Sequence, residues 1–138
     1  MEQNYQIYEK TIDKIIENNK NSVKDIIATI KNMNIFDDTF LLHLISHLKM
    51  YKLYEITCKE LPEFKYYMLS IGESNFIFNG NNNCFSKDCN IDMENKIRDK
   101  NTCIHKIGFK ILLGINAYIK IQIDKSLMID LIKENFDL

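Results

Sequence analysis

The sequence predicts an all-α fold, a single helical bundle that spans residues 1–138 and contains about five to six helices. Apolar residues recur at spacings of three and four along most of the chain, which is the period of a helix with one buried face. The only proline, Pro62, stands where it suits the first turn of a helix. A short irregular or hairpin insertion near 73–90 interrupts the pattern. A chain of 138 residues has room for one such domain with a hydrophobic core.

The first half of the chain is predicted to form three helices. Ser22 is expected to be the N-cap of the second helix, and Asp37 or Asp38 that of the third. The stretch 40–48 is apolar on nearly every side, which indicates a central helix covered by its neighbours. The predicted spans are 5–16, 23–33 and 39–55.

Helices are also predicted on both sides of the insertion. One begins at Pro62 and ends at about Ile71, a long one runs from 92 to 121, and the last begins near Asp124. Within the insertion, 75–78 could form a hairpin across an Asn-Gly turn or belong to a loop, and both alternatives stay open. The last helix is expected to bury four apolar residues: Leu127, Met128, Leu131 and Ile132.

Composition indicates a cytoplasmic protein without a membrane-spanning segment. The N-terminus lacks the basic and apolar regions of a secretory signal, and polar residues interrupt the longest apolar stretches. With a net charge of −1, no overall field would draw the protein to a polyanion, so contact with nucleic acid requires a local basic patch. In a reducing compartment four cysteines are expected to remain thiols or to bind a metal: Cys58, Cys84, Cys89 and Cys103.

Arg98 is the only arginine of the chain, and His105 follows it seven residues later. On a continuous α-helix this separation is two turns less about 20°, so both side chains would share one face roughly 10 Å apart along the axis. Asn101 and Thr102 would lie on or near the stripe between them. Four lysines would supply a local basic patch around the pair: Lys96, Lys100, Lys106 and Lys110.

An arginine beside a histidine is suited to cleaving RNA without a metal ion. The imidazole of His105 could take the proton of a 2′-hydroxyl or give one to the leaving 5′-oxygen, which are roles that histidine commonly has in catalysis. The guanidinium of Arg98 could hold the phosphate through two hydrogen bonds and stabilise charge in the transition state. Asp99 would orient one of the two side chains. The residues expected to bind the substrate are Asn101, Thr102, Lys100 and Lys106.

This motif resembles the signature of the HEPN superfamily, in which an arginine with a polar residue after it precedes a histidine by a few positions. Arg98, Asp99 and His105 fit the longest form of that signature. The resemblance covers the motif and the general helical layout. It implies an all-helical, metal-independent endoribonuclease without a cofactor, a homodimer that brings two motifs into one composite site. It also implies a toxin or defence effector, with RNA as substrate and an antitoxin or another protein as partner.

One position departs from the family pattern. Toxins of this kind that are paired with a nucleotidyltransferase antitoxin often carry a tyrosine two residues after the histidine, where this chain has Ile107. Regulation by tyrosine modification is therefore not expected here.

Two other sets of residues have side chains that can bind a metal. Cys84, Cys89, Cys103 and His105 are together compatible with zinc, although their spacing matches no compact zinc motif. His43 and His47 stand four residues apart on a predicted helix, but their apolar surroundings favour a pair of buried, hydrogen-bonded histidines. We therefore assign no metal ligand.

A non-catalytic interaction module is the alternative function. Small helical proteins with amphipathic helices include Bcl-2-like inhibitors of A+T-rich viruses and phage proteins that block host defence. Such a protein would bind a host protein through a groove or an exposed apolar stripe. Replacing Arg98 would then matter no more than replacing Lys96.

Overall fold

The computed structural model describes residues 2–20, 22–78, 96–97 and 102–136, with side chains for 10–20, 22–78 and 103–134. Its helices are α1 (Glu2–Asn18), α2 (Val23–Asn32), α3 (Asp38–Met50), α4 (Ile104–Gly114) and α5 (Lys125–Phe136). Its strands are β1 (Lys52–Cys58), β2 (Lys65–Ile71), β3 (Ser74–Phe78), β4 (Lys96–Ile97), β5 (Thr102–Cys103) and β6 (Ile119–Ile123). The predicted all-α bundle is therefore wrong, because the chain has an α/β fold with a four-stranded mixed sheet.

The main sheet has the strand order β3-β2-β1-β6. Strands β1, β2 and β3 form an antiparallel meander, whereas β6 lies parallel to β1 on its other side. Parallel neighbours need a crossover connection, and α4 lies in the segment between β3 and β6. The short strands β4 and β5 form a separate antiparallel ladder.

The most buried helix is α4, and it lies between the three N-terminal helices and the sheet. Every residue from 104 to 112 is buried, as expected for a helix that is covered on all sides. Ile104 and Ile107 pack into the cluster formed by α1, α2 and α3, whereas Phe109 packs against the sheet. The sequence predicted that 40–48 of α3 would be the central helix covered by its neighbours. That assignment is wrong, because Leu42 is 67% exposed.

The two faces of the sheet are covered by different helices. We call the side that includes Leu53, Leu69 and Phe76 the α4 face, because these residues pack in one cluster with Phe109 of α4. The opposite side, which we call the α5 face, carries Ile56 and Cys58 under Met128 of α5. Alternate residues of one strand therefore enter different apolar layers.

The predicted helix caps of the first half are confirmed. The Ser22 hydroxyl accepts a hydrogen bond from the Asp25 amide, and the Asp37 carboxylate accepts one from the Phe40 amide at 2.8 Å. Each side chain satisfies an N–H group that has no partner inside its own helix. The third helix nevertheless stops at Met50 rather than near Glu55, because Tyr51 is extended and β1 begins at Lys52.

Two helices predicted in the second half are wrong. Residues 65–71 form strand β2, and the stretch 92–121 contains β4, β5, α4 and the start of β6. Both faces of β2 meet apolar layers, so its sequence lacks the apolar-polar alternation that indicates a strand. The predicted start of the last helix is confirmed, and Met128 is buried, but Leu127 is 54% exposed.

The insertion contains a hairpin whose turn differs from the expected one. Asn75 to Phe78 do lie in a strand, β3, but its partner is β2, and the connection is Gly72–Glu73. Gly72 has φ +59, a left-handed conformation that residues with a Cβ adopt only rarely. Residues 79–90 lie outside the described residues. Among the helices that are described, none combines the length and hydropathy of a membrane span.

Gly108 marks a close approach between α4 and the end of α3, which gives a test of this packing. A Cβ added at Gly108 would lie 2.6 Å from Cε2 of the buried Tyr51 ring. We expect Gly108→Ala to lower the free energy of unfolding by about 1–2 kcal/mol, because overpacking outweighs the helix preference of alanine. Denaturant unfolding measures this. In a Tyr51→Leu background the same change should become neutral or stabilising, and an equal loss in both backgrounds would contradict the proposed contact.

Candidate functional site at the free edge of the sheet

The backbone around the predicted ribonuclease motif is not one continuous helix. Lys96 pairs with Cys103 and Ile97 pairs with Thr102 in an antiparallel ladder, and α4 begins only at Ile104. The shared helical face that placed the arginine and the histidine side by side is therefore wrong. Four of the predicted site residues lie outside the described residues: Arg98, Asp99, Lys100 and Asn101. Thr102 is placed in β5 by its backbone.

His105 is sealed in the core. Its side chain is 2% exposed, and its ring stacks on Phe76 of β3 with 3.7 Å between ring centroids. Its Nδ1 has no hydrogen-bond partner among the described residues. An imidazole in this position packs as an aromatic residue and does not reach a phosphodiester from solvent.

The lysines of α4 are also withdrawn from the surface. Lys106 is buried, and its amide donates to Sγ of Cys103, which caps the helix. Lys110 is buried as well, and its ammonium lies 2.8 Å from the carboxylate of Asp13 on α1. Neither lysine adds to an exposed basic patch. Two of the four lysines that were expected to attract RNA are therefore not at the surface of α4.

The other predicted constellations do not assemble into a metal site in the described part of the chain. Cys103 is buried at the start of α4, whereas Cys84 and Cys89 lie outside the described residues. Within the described ranges, no three His, Cys, Asp or Glu side chains are placed to hold a metal. His43 is exposed rather than buried, and its carbonyl oxygen lies 2.6 Å from Nδ1 of His47.

Strand β6 forms an edge of the main sheet, and its outer side is the best candidate interaction site. Among the described strands, its only neighbour is β1. The Lys59 amide donates to the carbonyl oxygen of Ile123 at 2.8 Å, and the Thr57 hydroxyl donates to that of Ile121. Residues two apart in a strand direct their backbone groups to the same side. The isoleucines of β6 therefore pair with β1.

Lys120 and Gln122 consequently direct their backbone N–H and C=O groups away from the sheet. We call this outer side of Ile119–Ile123 the β6 edge. An exposed edge of this kind presents ready donors and acceptors to another extended chain. Strand β3, at the opposite end of the sheet, has buried side chains in its last three residues, whereas no residue of β6 is fully buried.

Apolar side chains lie exposed on the same part of the chain. Ile119 at the start of β6 is 56% exposed, although it belongs to a strand of the main sheet. Helix α5 follows β6 directly and exposes Leu127 and Ile129 on either side of the buried Met128. Scattered apolar residues are common on protein surfaces, but here they accompany strand backbone that no described strand pairs. The combination favours contact with another polypeptide.

Glu60 and Asp124 fix the junction between β6 and α5. The Glu60 carboxylate accepts a hydrogen bond from the Lys125 amide at 2.6 Å, and the Asp124 carboxylate accepts one from the Leu127 amide. These acidic groups satisfy the first amides of α5 and favour the positive end of its dipole. The end of the β6 edge is thereby held to the turn between β1 and β2.

A row of polar side chains crosses the α4 face beside the β6 edge. Tyr67, Glu55 and Lys120 occupy matching positions on β2, β1 and β6. The Tyr67 hydroxyl donates to Oε2 of Glu55 at 3.2 Å. Burial raises the pKa of Tyr67 to about 12, with contributions from the charge and hydrogen bond of Glu55 and from Tyr118. Such a phenol stays protonated near neutral pH, so it holds the strands together and does not act as a base.

One signal in the sequence identifies strand β6. Residues 119–123 read Ile-Lys-Ile-Gln-Ile, which is the strict alternation of a half-buried strand. The sequence-based prediction placed only residues 119–121 in an element, at the end of the long helix 92–121. The open outer side of the strand depends on the order of the sheet, which the local pattern does not contain.

The burial of Tyr67 and its hydrogen bond to Glu55 predict a specific dependence of stability on pH. Because the folded pKa of Tyr67 exceeds the unfolded value of 10, its contribution is complete below pH 10 and is lost as the pH rises towards 12. The free energy of unfolding should fall more steeply in the wild type than in Tyr67→Phe between these pH values. Urea unfolding of both proteins measures this. Parallel curves would show that Tyr67 is not held in this way.

The ribonuclease hypothesis stays a prediction, and a comparison of Arg98→Ala with Lys96→Ala tests it directly. If Arg98 binds the scissile phosphate, Arg98→Ala should lower cleavage of a labelled RNA by about a hundredfold or more, because it removes transition-state stabilisation. Lys96→Ala should have a small effect, since a neighbouring lysine adds only general attraction. Given the burial of His105, we expect no cleavage above background in either variant or in the wild type. Cleavage lost in Arg98→Ala alone would restore the nuclease assignment.

Comparison with known proteins adds no assignment to this geometry. No protein-family model, no curated protein and no solved structure matches the chain. The resemblance to the HEPN superfamily thus rests on Arg98, Asp99 and His105 alone, and the helical bundle that it implies is contradicted by the sheet.

Proposed function

We propose that this chain is a non-catalytic protein-interaction domain that binds an extended segment of another polypeptide along the β6 edge. The observation that carries the proposal is the outward backbone of Lys120 and Gln122, which no described strand pairs on that side. Addition of a strand to a sheet edge is a common mode of recognition, in which main-chain hydrogen bonds supply affinity and alternate side chains supply specificity.

The side chains that border the edge define the chemistry of the segment. On the α5 face the incoming strand would meet the isoleucines of β6, so every second residue of the segment should be apolar. On the α4 face it would meet the exposed Lys120 and Gln122. Polar or acidic residues at the alternating positions fit this side, since an acidic residue beside Lys120 adds an attractive cross-strand pair.

The burial of the predicted catalytic residue favours this class of function over catalysis. His105 packs in the core, and Tyr67 is a protonated phenol near neutral pH, so neither provides an accessible general base. A Bcl-2-like groove requires an all-helical fold and is not compatible with the four-stranded sheet. A strand-binding domain needs only a rigid sheet with one open edge.

A proline at position 122 provides the test, because it removes one outward N–H without removing a bond to β1. Peptides selected on the wild type from a random library should alternate apolar with polar residues. They should bind Gln122→Pro about tenfold more weakly or worse. Edge strands tolerate proline where its missing N–H faces solvent, so the fold should persist.

The matched control is Ile121→Pro, which removes an N–H directed to β1. This variant should lose about 3 kcal/mol or more of unfolding free energy, because it breaks a ladder bond inside the sheet. Fluorescence binding titrations and denaturant unfolding separate the two effects. Equal affinity of the selected peptides for the wild type and Gln122→Pro would reject strand addition at the β6 edge.

A further inference from the structure

We infer that the strand bound at the β6 edge is β6 of a second copy of this chain, paired antiparallel about a twofold axis through Ile121. This inference rests on the proposed function and names its partner. The product is a dimer in which the two four-stranded sheets join into one continuous sheet. The backbone directions of β6 and the order of its five side chains support this pairing.

The backbone directions allow only some alignments of two β6 strands. The N–H and C=O groups that point outward belong to Lys120 and Gln122, so each must face an outward-pointing residue of the other copy. When Ile121 faces Ile121 of the other copy, Lys120 faces Gln122 in both directions. These two pairs exchange up to four main-chain hydrogen bonds. A shift of one residue would set outward groups against inward ones and break every bond.

The side chains favour the same alignment. Ile119 faces Ile123 of the other copy on the α5 face, so the exposed side chain of Ile119 gains an apolar neighbour. Lys120 faces Gln122 on the α4 face, which avoids a pair of like charges directly opposite each other. The order Ile-Lys-Ile-Gln-Ile is thus complementary to itself when reversed.

Two neighbouring alignments also set outward-pointing residues opposite each other, but they are less favourable. An axis through Lys120 would set two ammonium groups directly opposite each other. An axis through Gln122 would set Lys120 against Asp124, whose carbonyl oxygen already accepts the Met128 amide at the start of α5. That alignment would use a residue outside the strand and lose part of the ladder. The axis through Ile121 keeps all paired residues within β6.

Single cysteines at three adjacent positions test the register. In a Cys84→Ser, Cys89→Ser background the remaining native cysteines, Cys58 and Cys103, are buried. A residue on the axis faces itself at a Cα separation of about 4.5 Å, which falls within the range of a disulfide. Ile121→Cys should therefore form a disulfide-linked dimer under mild oxidation. Lys120→Cys and Gln122→Cys should each remain monomeric on a denaturing gel and should crosslink only when mixed.

The charge at position 122 tests the same interface without a covalent bond. Gln122→Glu places a carboxylate opposite Lys120 in both halves of the dimer, whereas Gln122→Lys places an ammonium there. The dissociation constant of the dimer should fall with glutamate and rise with lysine, each by between roughly twofold and thirtyfold. Sedimentation velocity over a range of concentrations measures it. Both variants keep the backbone N–H, so their folds should match the wild type.

The outcomes separate this inference from the proposed function. The twofold pairing through Ile121 is overturned if the wild type sediments as a monomer at every soluble concentration. It is also overturned if Gln122→Cys forms a crosslinked dimer without being mixed with Lys120→Cys. If the selected peptides still bind the wild type and not Gln122→Pro, the strand-binding function stands while its partner is a different chain. A concentration-dependent dimer that crosslinks through Ile121→Cys and is abolished by Gln122→Pro supports both.

Discussion

The burial of α4 between two apolar layers is the constraint on which the rest of the structure depends. Ile104 and Ile107 complete the core of the three N-terminal helices, and Phe109 completes the core over the sheet. The stacking of Phe78 on Phe109, with 4.3 Å between ring centroids, fixes the helix over the strands. The β6 edge is joined to this layer through the pairing of β6 with β1.

The same burial explains why a motif that reads as catalytic has a structural place here. His105 is the second residue of α4, at the point where the helix enters the core, and a side chain there must pack on its neighbours. Lys110 is withdrawn in the same way and pairs with Asp13 of α1. A histidine or lysine in a short sequence motif therefore indicates a catalytic or binding role only when the helix or strand that carries it leaves the side chain accessible.

Part of the fold could be predicted from local pattern, and part could not. Ser22 and Asp37 cap helices because a short side chain satisfies a nearby amide, and this depends on adjacent residues alone. Strand β2 is predicted as a helix because Pro62 suits a first helical turn, and its two apolar faces leave no alternation that would indicate a strand instead. The β6 edge depends on pairing with β1, which lies about half the chain away. No local window of sequence contains that information.

The late position of α4 in the chain has a consequence for synthesis. The three N-terminal helices and the meander β1-β2-β3 all leave the ribosome before Ile104, yet the layers they form are completed only by α4. A nascent chain that has emerged only as far as β3 therefore has its main apolar faces without their common partner. Folding of the whole chain must wait for its last third, and until then the unfinished layers are suitable substrates for a holdase chaperone.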